Sequence, residues 1–544
     1  MATAICTEKG APSLSTSGNP HVDLFFKFTQ DAHHNPLFET WLEAAWAAGP
    51  LETMIIFFNG RDCRGGKGIR DAFIAAMAHC IRHHTEWFAA NVHNIPYYGR
   101  YLDWFDILVE FKDAADDIYP IVEALIVKET VSVLLSDMSA MSSGKAVSLL
   151  AKWLPSENKS YDRKLHIVRK ICAHLFDMNV TAVGTSDLKC FRKTVVEPLR
   201  TYLNLVESNM CKGDWESIDF ERVPSVAMKR LRKAFKENLP DLFREWCLEI
   251  GSGKSVVKAG QLYPHELVRA YLYDDCEGED PVIEAQWKEL KSRYSELEDT
   301  LVLSDVSGSM NGLPLEVSIA VGIFMATNMA EGPFQNKLIT FHEEPSFHQI
   351  PLHCRTLYEC VQSVKKMEWG GTTSFHKVFE LILKCSKEVQ MAPEDMPKRL
   401  VVLSDMQFDA ADRSGGGGIM QFDAANGGNM KYDEGVMQFD SADRGGGGGT
   451  MQFDAADRGA ATTFEYMRKV YAHFGYTLPE IVFWNLRSNT TRDFVVTAEQ
   501  KGVAMVSGFS PSVLKNVLSN RDLSPENTLR QVLNDPRYSR IASP

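Results

Sequence analysis

The sequence predicts a multi-domain protein, with an all-α N-terminal part followed by an α/β part built on a mostly parallel sheet. Three observations predict it. From about residue 22 to 295, apolar residues recur at helical spacing and strand-like alternation is rare. After residue 296, short β-rich runs alternate with helical runs, the grammar of parallel strands joined by crossover helices. Two of those β-rich runs end in an aspartate, Asp305 and Asp405, and in such sheets ligands sit beyond the carboxyl ends of the strands.

Taken in order, residues 1–21 are rich in Ser, Thr, Gly and Pro and are expected to be a disordered lead. In "PLFETWLEAAWAAG" (36–49), Pro36 suits a first turn, Leu37, Trp41, Leu42 and Ala45 share a face, and Gly49 stops the helix. The same pattern recurs over 69–84, 119–135, 164–176, 190–206 and 264–273. Many short helices joined by short turns, without a fixed period, predict an irregular helical-repeat or solenoid-like domain over 22–295.

The second domain is expected over 296–544. Its strands are "TLVLS" (300–304), "KLITF" (337–341), "RLVVLS" (399–404), "EIVFWN" (480–485) and "VAMVS" (503–507), with "SFHQI" (346–350) as a short edge strand. Helices are expected over 314–330, 356–366, 375–390, 463–474 and 511–519. The segment 314–330 is apolar around most of its circumference, which suits a helix buried against the central strands. Residues 406–459 interrupt this pattern with near-copies of "MQFDAADR" separated by glycine runs. Such a low-complexity insert buries no core of its own and reads as a flexible loop expanded by tandem duplication, on the rim where ligands would approach.

The bulk numbers narrow the function classes. A net charge of −13 argues against a general nucleic-acid coat protein, though not against a local basic patch. The 11 cysteines include no C-x-x-C pair, so no common zinc site is expected, and scattered thiols suggest a reducing compartment, with the cytoplasm as the default. The polar N-terminus does not read as a signal peptide, and no run of about 18 apolar residues predicts a membrane span.

The chemistry lies at the strand ends. Asp305, Ser307 and Ser309 fall within five residues, Gly308 lets the backbone turn between the serines, and "EWGGTTSF" adds Thr372 and Thr373 at a helix start. With Asp405 this is an all-oxygen donor set, which a hard cation such as Mg2+ prefers. "DVSGSM" resembles the D-x-S-x-S signature of the metal-ion-dependent adhesion site of von Willebrand factor A domains, a Rossmann-like fold. That resemblance implies metal ligation by Asp305, Ser307 and Ser309, by Thr373 (or Thr372) as the later threonine, and by Asp405 as the aspartate after a following strand. It also implies that a partner's carboxylate completes the shell.

Further segments, "RDCRGGKGIR" (61–70), "IPYYGRYLDW" (95–104), "YPHELV" (263–268), "SDMQFDAA" (404–411), "IVFWNLR" (481–487) and "VSGFSPSVLK" (506–515), resemble a plant-type family. Its members join a helical domain of unknown function to an A-type domain. The layout is also similar to that of TROVE, or Ro autoantigen, proteins, in which a helical ring precedes an A domain. The departure is the insert after Asp405, where one copy of "MQFDAA" is expected.

No His, Cys or Lys in this constellation reads as a general base or nucleophile. The expectation is therefore a non-enzymatic binding scaffold with Mg2+ or another divalent cation, a protein partner donating a carboxylate, and no membrane partner. A Ro-like RNA-binding protein is the alternative. It draws on Lys229, Arg230, Arg232, Lys233 and Lys236 in "MKRLRKAFK", a cluster able to track a phosphate backbone or simply to solvate a helix face. A metal-assisted hydrolase is the third reading. "GSGKS" (251–255) lacks the earlier glycine of a phosphate loop, whereas "RGGKG" (64–68) reads equally as a phosphate wrap or a helix-start turn.

Overall fold

The computed structural model describes residues 4–6, 12–112, 117–260, 262–273, 278–293, 297, 299–341, 345–367, 375–406, 419–422, 430–433, 463–487, 494, 496–510, 513 and 524–544. The N-terminal part is helical, and its helices pack mainly on their neighbours in the chain, Pro20–Lys27 on Phe38–Ala48, then Pro50–Arg61, Asp71–His83, Leu102–Lys112, Tyr119–Ser142 and Ile167–Leu175. The first is started by Asn19, whose side chain accepts from the N–H groups of His21 and Val22.

Two expected helices are divided. The run 164–176 breaks at His166, whose φ of 52° is left-handed, into Ser160–Leu165 and Ile167–Leu175. Asp162 enforces the break, since its carboxylate accepts from Asn158 N at 2.9 Å and caps the second helix at Val168 N at 3.0 Å. The run 190–206 becomes Thr185–Phe191, a π turn over Arg192–Val196 and Glu197–Tyr202. Pro198 has no N–H for the α-type bond, and the wider turn forms just ahead of it.

The C-terminal part carries a six-stranded sheet of β1 (Thr300–Asp305), β2 (Lys337–Phe341), β3 (Ser346–Gln349), β4 (Arg399–Ser404), β5 (Glu480–Asn485) and β6 (Val503–Ser507). The spatial order is β6-β5-β4-β1-β2-β3, parallel except for the antiparallel edge pair β2–β3. Read from the other edge this is 3-2-1-4-5-6, a doubly-wound order that reverses between β1 and β4. Every residue of β1 is buried, so both faces of that strand are covered. Helix Leu313–Ala326 is buried from Pro314 to its end and packs on β1, with Gly322 allowing the close approach. A Cβ at Gly322 would lie 2.3 Å from Ser304 Oγ.

The lead is more ordered than its composition predicts. Pro12–Leu14 pairs with Ala4–Cys6, Leu14 exchanges backbone hydrogen bonds with Phe494, and Ser17 is buried where its N–H donates to Asp23 at 2.8 Å. Anchorage on the far end of the chain supplies the ordering that local sequence lacks. Within the repeat insert, Met406 is buried, Ile419–Phe422 and Met430–Asp433 pair antiparallel, and the rest lies outside the described residues, as does nearly all of the helix expected over 511–519.

One apolar cluster runs through both parts. It joins Leu24, Phe58 and Trp104 of the helical part to Val302, Val402 and Trp484 of the sheet. The chain ends seal that junction, with helices Pro20–Lys27 and Pro525–Leu533 both packing on β6. Beyond them, Arg537 pairs with the fully buried carboxylate of Asp62, Tyr98 Oη donates to Arg537 O at 2.8 Å, and Asn91 Nδ2 donates to Ala542 O at 2.8 Å. A smaller, separate cluster of Phe220, Met228, Phe235, Phe243 and Trp246 holds helices Ser225–Asn238 and Pro240–Ser252.

Candidate functional site

The point where the strand order reverses is occupied by the two aspartates. In the β1–β4 register Ser304 pairs with Leu403, so Asp305, one residue on, is level with Ser404 and next to Asp405. Asp305 is fully buried and Asp405 is 1% exposed. Asp305 accepts from Ser307 N at 2.9 Å through one carboxylate oxygen and from Ser404 Oγ at 2.5 Å through the other. The Ser307 and Ser309 hydroxyls lie 3.1 Å apart. Burial, and then the neighbouring charge of Asp405, push the Asp305 carboxyl up from 3.8 to about 6, against the lowering effect of the Ser307 and Ser404 hydrogen bonds. Among the described residues no Lys, Arg or His side chain forms an ion pair with Asp305.

Of the five residues expected at this site, Asp305, Ser307, Ser309 and Asp405 come together, and Thr373, like Thr372, lies outside the described residues. Among the described residues no three His, Cys, Asp or Glu side chains gather as a metal cluster. The oxygen set here is instead two carboxylates and two hydroxyls. Two neighbouring anionic groups in a dry site, lined by hydroxyl oxygens, fit a hard cation.

Two residues of the site were not anticipated. Ser404 carries a visible signal, because "LSD" ends both β1 and β4. Arg487 closes the segment "IVFWNLR", but nothing in that segment marks it for this site. It follows β5, and its guanidinium donates to the carbonyl oxygens of Ser309 and, at 2.7 Å, of Asn311.

The basic stretch lies on helix Ser225–Asn238 and is largely engaged. Arg232 pairs with Asp280 at 2.7 Å, Arg230 with Glu207 at 3.1 Å and Lys229 with Glu266 at 3.5 Å, whereas Lys233 and Lys236 are exposed. The "RGGKG" segment is a turn whose N–H groups are spent internally. Gly66 N and Gly68 N donate to Asp62 O, Gly65 N to the Asp62 carboxylate and Lys67 N to Asn59 O. Lys67 is buried, donating to Phe25 O and, at 2.6 Å, to Ser507 Oγ of β6. "GSGKS" closes helix Pro240–Ser252, with Gly253 at φ 75° as its left-handed cap.

A chain with a helical first part and an open α/β sheet carrying paired carboxylates at its reversal point defines the class. The sequence comparisons divide it at the same place. The family model described as "Domain of unknown function (DUF2828)" matches residues 7–99 and 112–298, and that described as "Domain of unknown function (DUF7788)" matches 299–538. The chain belongs to the DUF2828 family. It is also similar to "Uncharacterized protein L728" of Acanthamoeba polyphaga mimivirus, 28% identical over 561 residues that cover 98% of this chain and 88% of that protein. No solved structure matches. Among the described residues no helix is long and apolar enough to cross a membrane.

Proposed function

We infer that the sheet domain is von Willebrand factor A-like and that its strand-end site binds a divalent cation, Mg2+ by donor chemistry. The protein is then a non-enzymatic binding scaffold. The observation that carries this reading is the burial of Asp305 and Asp405 side by side at the strand-order reversal, rimmed by two hydroxyls. Asp305 and Asp405 would supply the charge, Ser307 and Ser309 neutral oxygens, and Thr373 a further one. The bound cation would supply a point of attachment for a carboxylate from a partner protein. Among the described residues nothing resembling a nucleophile–base pair accompanies these side chains, which favours attachment over hydrolysis.

The helical part offers a second surface. RNA binding there is the lesser reading, because three of the five basic residues are already paired with carboxylates, the exposed Arg230 among them, which leaves Lys233 and Lys236 as the exposed pair outside those ion pairs. The free thiols among the described cysteines, from Cys63 to Cys385, favour the cytoplasm.

Titration calorimetry of the full chain with MgCl2 and MnCl2 tests the site. Saturable binding is expected for the parent and none for Asp405→Ala. A variant that binds either ion as the parent does would overturn the assignment.

A further inference from the structure

Between Ser307 and helix Leu313–Ala326 the chain makes a single 3-10 turn, Gly308–Met310, with Ser309 at its centre. Within it Met310 N donates to Ser307 O at 3.0 Å and Asn311 N to Gly308 O at 3.3 Å. Gly312, at φ 92°, then breaks the backbone before the helix begins. So short a turn leaves its last carbonyls without backbone partners. One side chain serves both: Arg487 donates through Nη1 to Ser309 O and through Nη2 to Asn311 O.

The base of that side chain is itself fixed. Leu486 N donates to Ser404 O at 3.0 Å, and Arg487 N to Asn485 Oδ1 at 3.1 Å. On its remaining side Arg487 Nε lies 3.8 Å from the carboxylate of Asp31, in the turn after the first long helix. Arg487, together with its neighbour Leu486, therefore ties three elements together. These are the loop bearing Ser307 and Ser309, the strand end bearing Asp405, and the helical part.

Resting on the cation-site reading above, we propose that Arg487 is the positioning residue of that site and that its pairing with Asp31 makes cation affinity depend on the docked helical part. A planar guanidinium spans two carbonyls two residues apart, which a lysine ammonium, a point donor, does not do. With the brace removed, the turn is free to swing the Ser309 hydroxyl away from Ser307 while Asp305 and Asp405 remain buried in the sheet. Asp31→Asn removes the charge partner and leaves both carbonyl bonds intact, so it reports on the coupling alone.

The test uses full-length protein and Mn2+ alone, read by the electron paramagnetic resonance of free and bound ion, with thermal melts in EDTA alongside. Arg487→Gln and Arg487→Lys are expected to weaken Mn2+ binding at least about tenfold, and Asp31→Asn to weaken it less. Melting in EDTA should fall by no more than it does in a surface control, Arg530→Gln. The Arg487→Gln/Asp31→Asn double variant should bind like Arg487→Gln, since the Asp31 contribution acts through the arginine. Parent-like affinity in Arg487→Gln overturns the proposal and leaves the cation site standing. Weaker binding fully matched by loss of folding in EDTA also overturns it. A parent that binds no Mn2+ overturns both.

Discussion

Replacing Asp305 with asparagine is expected to stabilise the metal-free protein. Burial and Asp405 raise its carboxyl from 3.8 to about 6, roughly two pH units, which makes the ionised form cost about 3 kcal/mol at alkaline pH. The sign follows from proton binding. A carboxyl with a folded value above its unfolded one holds more protons when folded, so its contribution is intact below about 3.8 and is lost as the pH rises through about 6. Asparagine keeps an oxygen for Ser307 N but turns an amide toward Ser404 Oγ, which must then accept rather than donate, at a cost of about 1 kcal/mol. The net gain at pH 8 in chelator is therefore about 2 kcal/mol.

The assay is urea unfolding of parent and Asp305→Asn in EDTA at pH 8 and pH 5, then at pH 8 with Mg2+. At pH 5 the folded carboxyl is mostly protonated and the unfolded one mostly ionised, so the gap should shrink by about half or more. Mg2+ should raise the parent's midpoint and leave the variant's unchanged. A variant less stable than the parent at pH 8 in EDTA would refute the charge-repulsion reasoning. An equal response of both proteins to Mg2+ would refute the role of Asp305 in holding the ion.

The junction and the turns give further expectations. Arg537→Ala strands the fully buried Asp62 carboxylate without its guanidinium, and because Arg537 is itself a quarter exposed the loss should be about 2 kcal/mol, below that of a fully buried pair. It should appear as a lower urea midpoint at unchanged slope. Gly66→Ala would set a Cβ 2.1 Å from the backbone oxygen of Asn59, so a loss above about 2 kcal/mol is expected by the same assay. Gly251→Ala meets nothing within 4 Å in a helix of ordinary φ and should stabilise by up to about 1 kcal/mol.

What could be read in advance divides by the range of the interaction that decides it. Strands 337–341, 399–404, 480–485 and 503–507 match their predicted bounds because a buried parallel strand is specified by its own apolar run. Asp305 and Asp405 were legible for the same reason, each being the residue at which such a run stops. Helix bounds were less so where one side chain overrode the periodicity, as Asp162 does at His166. The residues that organise the site act across much longer separations. Ser404 reaches Asp305 from 99 residues away, and Arg487 reaches Ser309 from 178. No local pattern encodes either contact, and each depends on the 3-2-1-4-5-6 strand order, which itself forms only when the sheet closes. The same dependence applies to the junction, where the lead, β6 and the C-terminal tail are held by pairs such as Asn59 with Tyr538, 479 residues apart. On the proposed reading, a site whose loop is braced from β5 and from the helical part would be complete only in the whole chain, and cation affinity should accordingly be sought in the full-length protein rather than in the sheet domain alone.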